Sequence, residues 1–137
     1  MREIFEHTAD AGIRVESNTM TEALNELSLA FTEIITGGNL PDDVEQFNIG
    51  IKSDTLDSLI VNYLSHLIYL FDTEGFLVKS VNLGLELGEI NTISGILSGD
   101  FYDENKHGYG VEVKAVSYHM LNISIGPPSK INVILDL

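Results

Sequence analysis

The sequence predicts an α+β protein in which two helices pack on a largely antiparallel or mixed β-sheet. Two segments in the first half of the chain have a helical period, whereas the second half alternates apolar and polar residues almost throughout. Strands and helices do not alternate regularly, as they would around a parallel sheet. With 137 residues, 44% of them hydrophobic, the chain is expected to form a single domain over residues 1–137.

Two helices have clear start and stop signals. The first is predicted to begin at Thr19, which forms a capping box with Glu22, and to end at Gly37–Gly38. Asp54 is the expected N-cap of the second helix. Apolar side chains form a wide stripe along that helix over residues 56–68, which predicts that it packs on the core.

The remaining apolar segments have a period of two and are predicted as strands. Glycine, asparagine and proline residues mark the turns between them. The predicted strands cover residues 3–7, 12–17, 44–51, 76–87, 90–98, 111–125 and 130–137.

The net negative charge limits the kinds of molecule that the protein is expected to bind. Twenty-one acidic residues against seven basic ones give a formal net charge of -14 and a sequence pI of about 4.3. Direct nucleic-acid binding is not expected, because phosphate capture depends on clustered Lys and Arg. A basic protein surface or a cation is the better electrostatic partner, although solubility alone would also explain the charge.

Composition also excludes several kinds of chemistry. The absence of cysteine rules out disulfides, cysteine-ligated zinc and thiol nucleophiles. No apolar stretch reaches the roughly 20 residues needed to cross a bilayer, so no membrane association is expected. The opening "MREIFEHTAD" does not resemble a signal peptide, and we therefore expect a cytoplasmic location.

Familiar catalytic patterns are absent from the sequence. No glycine-rich segment has the spacing of a phosphate-binding loop. Ser65-His66 and Ser117-Tyr118-His119 lack an acid at a spacing that suggests a triad, so structural roles are favoured for them. The segment "DENKHG" from Asp103 has oxygen donors at alternate positions, but Lys114 stands where a calcium loop needs glutamate, which favours a solvated turn.

Carboxylates near the two ends of the chain form a candidate metal site. Asp136 and the carboxylate of Leu137 lie at the end of the last predicted strand, and Asp10 lies just before the second. Should these ends meet, the carboxylates would need a hard cation or a neighbouring lysine to offset their repulsion. Lys114 is a candidate for that lysine. The plainer alternatives are a frayed terminus and a solvated surface lysine.

Four segments together resemble the archease family over nearly the full chain. They are "HTADAGIRV", "LSHLIYLFDTEG", "YDENKHGYGVEVKAVSYH" and "VILDL", in that order. The resemblance implies a small acidic cytoplasmic protein that assists the tRNA-splicing RNA ligase, promoting its GTP-dependent guanylylation and multiple turnover, and that is not itself an enzyme. It also implies a divalent cation, calcium, bound through Asp10, Asp136 and Leu137. Lys114 would be a further residue of ligase activation, and His7 would support the local turn.

Two other functions stay open at this point. One is a metal-dependent hydrolase with Asp10 and Asp136 as ligands and His7 or His119 as base, although no obvious general base is placed beside the metal. The other is a general chaperone or a modulator of RNA-modification enzymes. Incubation with GTP and RNA alone separates these hypotheses, because an activator does nothing without its ligase.

Overall fold

The computed structural model describes residues 1–6 and 9–137, and within them the chain forms seven strands and three helices. The strands are β1 (Arg2–Glu6), β2 (Asp10–Ser17), β3 (Glu45–Ser53), β4 (Phe76–Glu86), β5 (Asn91–Phe101), β6 (Ala115–Ser124) and β7 (Ser129–Asp136). The helices are α1 (Met20–Thr36), α2 (Leu56–Glu74) and the single turn α3 (Glu104–His107). The predicted α+β class is confirmed.

The strands divide between two antiparallel sheets rather than one. The first sheet has the order β1-β2-β7-β6 and the second the order β3-β5-β4. β2 and β7 occupy the middle of the first sheet and pair over their whole length, from Asp10 opposite Asp136 to Ser17 opposite Ser129. The beginning and the end of the described chain are therefore joined inside one sheet.

Side-chain and glycine caps define the two long helices. The Thr19 hydroxyl accepts a hydrogen bond from the Glu22 N–H at 3.2 Å, which confirms the predicted start of α1. Gly37, with φ of 81°, ends that helix in the left-handed region. The N-cap of α2 is Thr55 rather than the predicted Asp54, since the Thr55 hydroxyl accepts from the Ser58 N–H at 3.1 Å.

One cluster of buried side chains links the two sheets. Both α1 and α2 contact strands of both sheets, so their apolar faces close a shared core. The largest fully buried side chain, Tyr63, has its hydroxyl 2.6 Å from that of Ser28. Ser28 in turn donates to the Leu24 carbonyl at 2.7 Å, so the buried polar groups satisfy one another. Burial raises the pKa of Tyr63, which keeps this hydroxyl protonated.

The segment between β5 and β6 docks on the C-terminal end of α1. The Gly110 N–H donates to the Ile35 carbonyl at 2.7 Å, and the Val111 N–H donates to the Ile34 carbonyl at 3.2 Å. These bonds satisfy carbonyls that a helix end otherwise leaves unpaired. The segment is held there as irregular backbone, and β6 begins at Ala115 rather than at the predicted residue 111.

The "DENKHG" segment is more ordered than the predicted turn. It forms α3, and His107 is buried within it. The Nδ1 atom of His107 accepts a hydrogen bond from the Asp103 N–H at 3.0 Å, and Asn39 donates to the His107 carbonyl at 2.7 Å.

None of the helices in the described part of the chain has the length and hydropathy needed to cross a bilayer.

Candidate functional site

Asp10 and Asp136 are direct neighbours across the β2–β7 pair. The register places them opposite each other, and the Leu137 N–H donates to the Ala9 carbonyl at 3.1 Å just outside them. Ala9 and Leu137 thus form a hydrogen-bonded pair of the antiparallel ladder. The next pair, Asp10 and Asp136, is a non-hydrogen-bonded pair, in which opposite side chains lie closest. Cβ atoms in such a pair lie roughly 4.5–5.5 Å apart, and like charges placed there repel.

The alternation of each strand turns both carboxylates to the outer face of the sheet. Their neighbours Ala11 and Leu135 are fully buried in the core. Because successive side chains of a strand alternate between faces, the aspartates lie on the face directed away from the core. Asp136 is exposed, whereas Asp10 is half-buried. The Asp10 Oδ1 atom is inaccessible and has no hydrogen-bond partner among the described residues. A buried carboxylate oxygen in this state is costly unless something positive approaches it.

The nearest cation on the same strand and face does not supply that charge. The Arg14 guanidinium lies 4.3 Å from the centroid of the Phe5 ring, and its Nη1 atom lies 3.4 Å from Glu3 Oε1. Phe5 in turn covers Gly12, where a Cβ atom would come within 2.0 Å of the ring. Arg14 is thus committed to the β1 side of the sheet, and the described ion pairs leave the carboxylate pair without a partner.

Lys114 is fixed beside Asp136 through its backbone. The Lys114 N–H donates to the Asp136 carbonyl at 2.8 Å, and the following residue, Ala115, pairs with Asp136 in the sheet. The Lys114 side chain is exposed and forms no ion pair within the described residues. The site therefore places an exposed lysine, through its backbone, next to two adjacent carboxylates.

The donor set suits a hard divalent cation. Carboxylate and main-chain oxygens are the ligands that Ca²⁺ prefers, and Asp10 Oδ1 forms no hydrogen bond within the described residues. Within residues 1–6 and 9–137, no three His, Asp or Glu side chains lie close enough together to hold a metal ion. A cation at this edge would thus use the two aspartates together with a non-side-chain oxygen, for which Leu137 is adjacent. His7, the predicted supporting residue, lies outside the described residues.

The structure brings together four residues that the sequence singled out, namely Asp10, Lys114, Asp136 and Leu137. Sequence reasoning missed Ala9 and Ala115, which contribute a carbonyl and a small side chain at this edge and carry no chemical signal of their own. The Ser117 hydroxyl accepts from the His119 N–H at 3.0 Å, so this serine serves the local backbone rather than a triad.

Comparison with known sequences assigns the family. The model of the Archease protein family (MTH1598/TM1083) matches residues 3–137, and the chain belongs to this family. The protein archease of Pyrobaculum neutrophilum is 31% identical over 135 residues, which cover 96% of this chain and 92% of the relative. That of Pyrococcus furiosus is 32% identical over 129 residues, which cover 93% of this chain and 91% of the relative.

Solved structures have the same fold. The solution structure of Methanobacterium thermoautotrophicum protein 1598 superposes with a TM-score of 0.75 at 28% identity, covering 99% of this chain and 98% of its own. The crystal structure of a Thermotoga maritima protein described as an archease and possible chaperone gives a TM-score of 0.62 at 22% identity. That comparison covers 100% of this chain and 98% of the other, and it supports the fold alone.

Proposed function

We propose that this protein is an accessory factor that binds calcium and activates a tRNA-splicing RNA ligase. In this role it promotes GTP-dependent guanylylation of the ligase and allows multiple turnover, and it catalyses no reaction by itself. Membership of the archease family supports an accessory role. The observation that carries the proposal is the adjacent Asp10–Asp136 pair, in which Asp10 Oδ1 is buried without a partner among the described residues and the backbone of Lys114 is bonded to Asp136.

Asp10, Asp136 and an oxygen of Leu137 would hold the cation. Bound there, a divalent cation supplies positive charge that offsets the repulsion between the two carboxylates. The protein's own contribution is positional, because two central strands fix the aspartates and a main-chain bond fixes Lys114 beside them. The strand pairing thereby holds the two aspartates and the Lys114 backbone next to one another.

Charge supports a protein partner with a basic cleft. At a formal net charge of -14, the molecule is attracted to the positively charged surface that an RNA-joining enzyme needs for its own substrate. The same charge opposes direct capture of RNA by this chain. The backbone of Lys114 is bonded to Asp136 and its side chain is exposed, and we assign to this side chain a contact in the activation step rather than a role in folding.

The test measures guanylylation of the RNA ligase from the same source with GTP. Substoichiometric wild-type protein is expected to accelerate guanylylation and to support many ligations per ligase molecule, whereas it does nothing with GTP and RNA alone. Lys114→Ala should lose most of this stimulation. Its melting temperature should stay within a few degrees of wild type, because exposed substitutions change stability by about 0.5 kcal/mol or less.

Lys130→Ala is the matched control. Lys130 is also exposed, on the same sheet, but it lies near the opposite end of β7, where it pairs with Glu16. Full stimulation by this variant shows that position, not general charge, matters. An unchanged guanylylation rate across all ratios of wild-type protein to ligase would refute the proposal. Stimulation of unrelated aggregating enzymes instead would support the general chaperone reading.

A further inference from the structure

A bulge interrupts β6 a short distance from the carboxylate edge, by which we mean the end of the first sheet that carries Asp10 and Asp136. Residues 115–117 pair with Asp136 to Ile134, and pairing resumes where Asn122 lies opposite Asn132. Four residues, 118–121, therefore face the single residue Val133, three more than a regular ladder accommodates. Because β6 is an edge strand, the extra residues lie at the edge of the first sheet.

The bulge exposes two large apolar side chains. Tyr118 is 58% exposed and Met120 is 71% exposed. The Met120 backbone has φ of 59°, in the left-handed region that side chains with a Cβ atom rarely adopt. Holding a methionine in this conformation costs free energy, and its side chain gains no burial in return.

Protection of the sheet edge does not explain these side chains. A bulge on an edge strand does discourage pairing with other chains, but charged or small residues achieve this without exposing apolar surface. Glycine would fit the left-handed position at no cost. The residue types at the bulge therefore call for a different explanation from the bulge itself.

The bulge lies close along β6 to the residue that pairs with Asp136. Ala115 pairs with Asp136, and Tyr118 follows three residues later, about 10 Å along the strand. Lys114 immediately precedes the strand. Tyr118 and Met120 thus lie within about 20 Å of Lys114 along the chain, close enough for one partner to contact all three.

We infer that Tyr118 and Met120 are apolar anchors that seat this edge on the RNA ligase, in an apolar pocket bordering its basic cleft. The inference rests on the proposed function and adds a second part to its docking surface. The acidic charge accelerates and orients the encounter, whereas buried tyrosine and methionine side chains slow dissociation. An unbranched methionine also adapts to the shape of a pocket.

The inference is tested by titrating four proteins against the ligase. They are the wild type, Tyr118→Ser, Met120→Gly and the double variant. We expect the double variant to bind roughly tenfold more weakly or worse, mainly through faster dissociation. Met120→Gly should retain or raise the melting temperature while weakening binding, because glycine adopts the left-handed conformation freely. A purely structural role for Met120 would move both quantities down together.

Val44→Ser is the matched control. Val44 is 62% exposed but lies beside the second sheet, where its N–H donates to the Gly99 carbonyl. Its affinity for the ligase should equal that of wild type, and none of the variants should change calcium affinity.

The outcomes separate the two proposals. If the wild type and the double variant bind the ligase with equal affinity, the anchor inference is wrong and the proposed function still stands. Failure of wild-type protein to bind or stimulate the ligase would overturn the proposed function, and the inference with it. If the wild type forms dimers that the double variant does not, at unchanged ligase affinity, the patch serves a second copy and the inference is wrong.

Discussion

At the scale of single residues, Asp10 is in an environment that opposes its own charge. Its Oδ1 atom is buried without a partner among the described residues, and Asp136 lies directly opposite. A buried polar atom without a partner lowers the stability of the folded, cation-free protein. Residues that lower the stability of a fold are typically retained for function. The environment of Asp10 is therefore consistent with a bound cation that interacts with its carboxylate.

We expect Asp10→Ala to have opposite effects on stability with and without calcium. Without the ion, removing the buried carboxylate should leave the melting temperature unchanged or raise it. With calcium at about 100 times its Kd, the wild type should gain about 2.7 kcal/mol, and the variant should gain little. Thermal unfolding in chelator and in calcium measures both effects.

Glu16→Ala controls for the loss of one negative charge. Glu16 is exposed and lies on the same strand and face as Asp10, near the opposite end. Its calcium response should match the wild type. Equal calcium-induced stabilisation of Asp10→Ala and wild type would show that the cation binds elsewhere.

The residues of this site could be proposed from sequence, but their environment could not. Asp10, Asp136 and Lys114 were identified by residue type and by resemblance to the family. The register that places Asp10 opposite Asp136 depends on strand pairing between residues far apart in the chain. Local patterns carry no information on that pairing, and the burial of Oδ1 follows from it.

At the scale of elements, local signals predicted the helices better than the sheets. The Thr19 cap and the Gly37 stop depend on neighbouring residues, and the structure has both. The division of strands between two sheets and the bulge at residues 118–121 depend on distant partners. Alternation alone extended the β6 prediction back to residue 111, where docking on α1 in fact determines the backbone.

Gly110→Ala tests the docking of that segment on α1. A Cβ atom at this position would lie 2.1 Å from the Ile34 carbonyl oxygen, so the segment must move and weaken its bonds to the helix end. We expect a loss of roughly 2 kcal/mol in the free energy of unfolding. Ligase stimulation should also fall, because Lys114 lies four residues further along the displaced segment.

Gly50→Ala is the control for this substitution. Gly50 lies in β3, and a Cβ atom there meets nothing within 4 Å. Its stability should equal or slightly exceed that of wild type, since alanine restricts the unfolded chain more than glycine does. Chemical denaturation of both variants measures the difference, and equal losses would mean that Gly110 is not a site of close approach.

At the scale of the whole molecule, a well-packed core coexists with strong electrostatic repulsion. The core cluster is shared by both sheets and the two long helices, while the protein carries a formal net charge of -14. Self-repulsion lowers the stability of the compact state. The same field attracts a basic partner, so salt should act on the free protein and on its complex in opposite directions.

We expect sodium chloride to stabilise the free protein and to weaken its complex with the ligase. Raising the salt from about 0.01 M to about 0.1 M shortens the Debye length from about 30 Å to about 10 Å. The melting temperature, measured in chelator to exclude calcium effects, should rise over this range. The association rate with the ligase should fall over the same range, and choline chloride should reproduce both trends. A falling melting temperature would contradict the dominance of self-repulsion.

The central place of β7 in the first sheet has a consequence for biosynthesis. Among the described strands β7 is the last to be made, yet it fills the gap between β2 and β6. Until it emerges from the ribosome, both of those strands have an open hydrogen-bonding edge and Asp10 lacks Asp136 opposite it. A nascent chain that stalls before Ser129 thus lacks the carboxylate pair and is prone to pair wrongly. The surface proposed to meet the ligase is assembled last, so only a chain made through Asp136 can present it.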